Sequence, residues 1–169
     1  FEVLQSDDDG LQQGTDSRLY FTLPEAGQYE VRALGLESES RGLYAVELMD
    51  RGPEPKPGSL LVPSVARGSL SDRDSLNDEG QSFDAYSFKV KADEKLRFTL
   101  ISAEFDAVVE VGEMKNENWR SADSDDDSLS DTHARLDWTA PRDGTYQVRV
   151  RSYKPGATGT YSLMVERQP

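Results

Sequence analysis

Cysteine is absent from the 169 residues, and histidine occurs once, at His133. The first absence rules out disulfides, thiolate zinc sites, haem attachment and a cysteine nucleophile. The second leaves little room for histidine-based catalysis or a multi-histidine metal site. No stretch approaches the roughly eighteen consecutive apolar residues that a membrane-spanning helix needs. Positive charge is also scarce, with 19 Lys and Arg against 32 Asp and Glu and a formal net charge of −13. Nucleic acid and anionic membrane surfaces both reward a basic face and repel an acidic one, so neither is an expected partner. The GxSxG elbow, the P-loop, HExxH and GxGxxG are missing too.

What is present is alternation. Hydrophobic residues make up 36 % and charged ones 30 %, so a core has to be assembled from half-apolar segments. Leu19, Phe21 and Leu23 alternate with polar residues; so do Tyr29, Val31 and Ala33, then Tyr44, Val46 and Leu48. The pattern returns at Tyr86, Phe88 and Val90, at Leu96, Phe98 and Leu100, and at Leu136 and Trp138. It closes with Tyr146, Val148 and Val150, and with Tyr161, Leu163 and Val165. Period two with β-branched and aromatic members predicts half-buried strands, and the intervening Gly, Pro, Asp, Asn and Ser clusters supply turns. Residues 72–82 (DRDSLNDEGQS) are too polar to bury a helix face and read as a loop. The expected fold class is all-β, with two sheets packed face to face.

An internal repeat organises the chain. Shifted by 117 residues, 18–48 falls on 135–165 without a gap, and 10 of the 31 pairs are identical. Pro24 meets Pro141, Gly27 meets Gly144, Tyr29 meets Tyr146, Gly42 meets Gly159 and Tyr44 meets Tyr161. Asp8 and Asp9 fall on Asp125 and Asp126. In each copy a Gly stands two residues before a Tyr that opens a strand, twice over; the ring is expected to point inward and the hydroxyl to reach a backbone carbonyl at the sheet corner. The second copy is preceded by a further stretch, 65–117, with three or four strands of its own, and the first is not. Residues 1–50 are therefore expected to be the C-terminal half of a first sandwich, truncated or completed by other strands. Residues 51–64 are expected to be a Pro-rich linker, starting RGPEPKPG, and 65–169 a complete sandwich.

The second unit carries an Asp-x-Tyr-x-Phe strand (Asp84, Tyr86, Phe88), a Phe-Asp before an apolar strand (Phe105, Asp106, Val109, Val111) and a double Asp. A Gly-x-Tyr-x-Val-x-Val strand and a closing Gly-x-Tyr-x-Leu-x-Val follow. In this order the marks resemble the bacterial pre-peptidase C-terminal domain over residues 68–166, with the first unit resembling its latter half. The resemblance implies an antiparallel β-sandwich of jelly-roll type, non-catalytic and secreted, periplasmic or at the cell surface. It also implies a peptidase catalytic domain as partner in the full-length protein, with the module removed after export or retained to bind protein or polysaccharide substrate. A chain ending just after its last strand fits a C-terminal accessory position. A repeat or spacer segment of a surface adhesin, and a carbohydrate-binding module with structural calcium, are the alternatives.

Candidate chemistry is thin. His133 lies where the first copy has Asp16, which marks a loop position free to differ. Glu104 with Asp106 or Glu110 could form a glycosidase carboxylate pair only if the fold set their separation correctly. The stretch Asp123, Asp125, Asp126, Asp127 and Asp131 could supply oxygens to calcium, although Ser128 and Ala134 occupy the positions where an EF-hand needs Gly and Glu. Some collagenase-derived relatives bind calcium through linker carboxylates and the Asp of the Asp-x-Tyr strand; Asp84 matches that residue, and the linker offers Glu54. Asp84, Asp125 and Asp126 are thus the calcium candidates. For ligand binding the candidates are Arg149, Arg151 and Tyr153, which lie opposite the inward Tyr146, Val148 and Val150, with Lys89, Lys91 and Arg97 also outward on neighbouring strands. Collagen-binding relatives carry apolar and aromatic side chains on this strand. Arginines there suit an acidic peptide or a carboxylated polysaccharide.

Overall fold

The computed structural model describes residues 2–8, 16–50, 55–77, 79–116 and 118–169. It divides into two units, 1–51 and 52–169.

The second unit is the expected sandwich. Among its described residues the strands are β1 (Gly58–Ser59), β2 (Ser64–Leu70), β3 (Ser75–Leu76), β4 (Ser82–Val90) and β5 (Lys95–Ile101), then β6 (Ala107–Lys115), β7 (Asn118–Asp125), β8 (Ala134–Thr139), β9 (Gly144–Ser152) and β10 (Gly159–Arg167). One sheet runs β1-β4-β9-β6-β7, with β3 added beside β4; the other runs β2-β10-β5-β8. The pairs are antiparallel except for β1 on β4. Alternation sets the faces: Tyr146, Val148 and Val150 of β9 and Leu163 and Val165 of β10 point into one core with Phe88, Leu96, Phe98, Leu100, Val109 and Val111. Phe88 packs edge-on against Trp138, which in turn meets Tyr146 with ring centroids 4.9 Å apart. Full burial of side chains of this size contributes about 1.5–3 kcal/mol each.

The expected linker boundary needs correction. The linker does not extend to residue 64: Gly58 and Ser59 pair with Tyr86 and Ser87, and Leu60 is buried in the core. Residues 51–54 of the linker lie outside the described residues. Within the acidic stretch, Asp123 and Asp125 belong to β7. Among the described residues this edge strand pairs with β6 alone, and it is largely exposed, so nothing forces an apolar alternation on it.

In the first unit, the described residues form neither strand nor helix. The ladder that its alternation predicts is not made there, and the second unit supplies the physical reason. β8 lies beside β5, β9 between β4 and β6, and β10 between β2 and β5. The three strands repeated in the first unit never pair with one another, so the triplet alone has no hydrogen-bonding partner. Its side chains are open to solvent where the matching ones are buried: Val31 is 67 % exposed and Val148 0 %, Tyr44 77 % and Tyr161 4 %.

Candidate functional site

The outward side of the β1-β4-β9-β6-β7 sheet carries an ordered cluster. Because Val148 and Val150 face the core, Arg149 and Arg151 face out. The register places Arg149 opposite Ala85 on one side and Glu110 on the other. Phe83 is set diagonally across from Arg149, since its direct partner is Arg151. Trp119 comes from β7, beyond β6, and reaches Arg149 because β6 has no side chain at Gly112; a Cβ there would stand 2.9 Å from the Trp119 ring and run into the Arg120 carbonyl. The guanidinium of Arg149 is thereby sandwiched, 4.0 Å from the Phe83 ring centre and 3.9 Å from that of Trp119. Such contacts contribute about 0.5–2 kcal/mol each, more as water is excluded. Arg149 Nη2 also approaches the Met114 sulfur at 3.8 Å.

The other two ligand candidates flank this stack. Arg151 donates from Nη1 to Gln81 Oε1 at 2.9 Å, and its Nε lies 3.9 Å from Glu110. Gln81 in turn donates to the Tyr153 carbonyl at 2.7 Å, so Arg151 and Gln81 fasten the loop before β4 to the end of β9. The Tyr153 side chain remains half exposed at the rim. Lys89 shares this sheet, but Arg97 does not: it lies on β5 in the other sheet and holds Asp137 with two hydrogen bonds of 2.6 and 2.7 Å. Phe83 and Trp119 were not legible in the sequence. Phe83 is out of phase with the core pattern, and Trp119 stands alone in a polar strand.

The calcium candidates are dispersed. Asp84 is on β4 and Asp125 on β7, with β9 and β6 between them, and Asp126 follows β7 in the turn. Among the described residues no three His, Asp or Glu side chains converge as a cation site would require. Asp125 instead accepts from the Arg135 amide at 2.7 Å and from the Ser128 hydroxyl. Asp84 accepts from the Tyr161 hydroxyl at 2.6 Å, which in turn lies 2.5 Å from the Tyr86 hydroxyl. Tyr161's single proton is committed to Asp84, so Tyr86 donates to Tyr161. Burial pushes the Asp84 carboxyl up from its ordinary value; the Tyr161 hydrogen bond opposes this and the charge on Asp74 adds to it. Burial likewise raises Tyr86 and Tyr161. A hollow of about 120 Å³ beside Asp84 and Tyr86 is lined by Lys56, Gly58 and Ser75.

Of the remaining acid and base candidates, Glu104 and Glu110 have side-chain partners, while His133 and Asp106 are held through their backbones. His133 closes a tight turn through backbone hydrogen bonds with Ser130. Glu104 accepts from Thr160 at 2.6 Å, and Glu110 faces Arg151 on the outer surface. The Asp106 carbonyl receives the Tyr153 amide at 2.8 Å.

No protein-family model matches the chain, and no curated protein matches it. Among solved structures it is similar to the pre-peptidase C-terminal domain of a Bacillus anthracis collagenase, at 21 % identity and a TM-score of 0.49, over 68 % of this chain and 97 % of that one. It is also similar to PliG, a periplasmic inhibitor of g-type lysozyme. The Aeromonas hydrophila protein is 15 % identical with a TM-score of 0.49, over 68 % of this chain and 98 % of that one. The Salmonella Typhimurium protein is 16 % identical with a TM-score of 0.43, over 68 % and 100 %.

Proposed function

We propose that residues 58–167 are a non-catalytic accessory module of an exported bacterial peptidase, and that the module holds substrate or a surface polymer on the outer face of its larger sheet. One observation carries the reading: the stack of Phe83, Arg149 and Trp119 fixes a cation and two aromatic rings rigidly on that face. A side chain already ordered loses little entropy on binding, so such a platform suits an extended polymer that offers carboxylates and apolar surface. The acidic balance of the chain as a whole disfavours non-specific anion binding. The internal repeat favours a second reading, a spacer segment of a surface adhesin.

Co-sedimentation with insoluble collagen, peptidoglycan and an acidic polysaccharide tests the proposal. The chain should sediment with one of them, and Arg149→Ala or Trp119→Ala should weaken that binding roughly tenfold, about 1.4 kcal/mol. Tyr153→Ala, at the exposed rim, gives a variant whose folding is not at risk. Equal binding by all three variants removes the face; no sedimentation with any polymer favours the spacer.

A further inference from the structure

The geometry points to residues 18–48 as an acceptor for a specific set of strands, one built like β2 and β4–β6 of the second unit. The first unit already holds the local contacts of a finished sandwich. The Tyr29 hydroxyl donates to the Glu25 carbonyl at 2.9 Å, as the Tyr146 hydroxyl does to the Arg142 carbonyl at 3.3 Å, four residues back in both cases. Phe21 meets the Tyr29 ring edge-on at 6.1 Å, as Trp138 meets Tyr146. The Arg18 amide donates to Asp7 at 2.8 Å, as the Arg135 amide does to Asp125 at 2.7 Å. Each pair of positions is related by the repeat, with Asp7 one residue out of step. The corner motifs are thus formed while the strands they introduce have no ladder.

The second unit specifies what those strands need. A counterpart of β5 would separate 17–22 from 42–50, counterparts of β4 and β6 would flank 27–35, and a counterpart of β2 would take the far edge of 42–50. Leu19, Phe21, Val31, Tyr44 and Val46 would then enter a core as Leu136, Trp138, Val148, Tyr161 and Leu163 do. A second copy of this chain cannot provide the set. Its β2 and β4–β6 are filled by its own β8–β10, and an exchange would expose one triplet for each one covered. The occupant is a further segment with the strand pattern of residues 64–115.

Hydrogen exchange tests this on the full chain and on one extended by a second copy of residues 58–124 joined ahead of Asp8. In the chain itself, amides of 29–33 and 44–48 should exchange nearly as fast as in an unfolded peptide, at every protein concentration. In the extended chain they should slow by at least about 100-fold, as ladder amides do. Two results would overturn the inference. One is protection of these amides in the unextended chain, including protection that appears only at high concentration and so reveals a second copy as partner. The other is an extended chain that leaves them fast while a control extension, with 18–48 replaced by the sequence of 135–165, protects the same positions.

Discussion

The hydroxyl of Tyr161, on β10 of one sheet, donates to the carboxylate of Asp84, on β4 of the other, across 2.6 Å. This bond ties the two sheets at one end of the sandwich, and Tyr86 extends it by donating in turn to Tyr161. Tyr161→Phe leaves a partly buried carboxylate short of a donor, which costs about 1–3 kcal/mol. Tyr44→Phe removes the same hydroxyl at the repeated position, where the side chain is open to solvent, and should cost nothing measurable. Urea unfolding of the two variants, followed by the fluorescence of buried Trp138, checks the contrast.

Asp84 also gives the fold an uncommon pH response. Its carboxyl is held above its ordinary value, chiefly by burial, so the folded state binds this proton more tightly than the unfolded chain does. Stability from this group is therefore full below the ordinary Asp range and falls as pH rises from that range through the raised value. Asp137 works in the opposite sense, since hydrogen bonds from Arg97 lower it. That pair is well exposed, and its contribution, which fades on acidification, is small. Asp84→Asn should remove the decline with rising pH while keeping an acceptor for Tyr161. Melting midpoints of both proteins across the carboxylate range should diverge toward neutral pH with the variant higher; a variant that falls further behind as pH rises contradicts the assignment.

Gly112 is a point of close approach rather than of unusual backbone. Gly112→Ala forces its new methyl against the Arg120 carbonyl and the Trp119 ring, at a cost of about 1–3 kcal/mol by overpacking. Displaced Trp119 should also uncover Arg149, so the indole emission shifts to the red in a Trp138→Phe background.

Calcium should leave the melting midpoint where chelator leaves it. Asp84 and Asp125 are separated by two strands, and both already accept hydrogen bonds from the protein. A ligand selective for the folded state must raise apparent stability, so a midpoint that climbs with calcium would show that the three carboxylate candidates, or others, do gather around a cation.

The inner half of this architecture was legible in the sequence because burial on one face writes period two into a strand. β4, β5, β8, β9 and β10 follow from Phe88, Phe98, Leu136, Val148 and Leu163 and their neighbours. β7 left no such mark: as a largely exposed edge strand it tolerates the sequence NWRSADSD. The same exposure hid Trp119, whose role depends on a bare Gly112 one strand away. Alternation also indicated strands at 19–23, 29–33 and 44–48, yet a period-two pattern records only which face would be buried. It does not record the partner, and in this topology the partner comes from elsewhere in the fold.

The proposed binding face is tested most directly by a hydrogen-exchange footprint on the chain bound to soluble gelatin, or to soluble peptidoglycan fragments if those are what it retains. Added protection is expected only in peptides covering 81–87, 112–121 and 147–153, where β4, β6, β7 and β9 carry Phe83, Met114, Trp119 and Arg149 and Tyr153 follows β9. Protection that falls instead on β2, β5, β8 and β10 would contradict it.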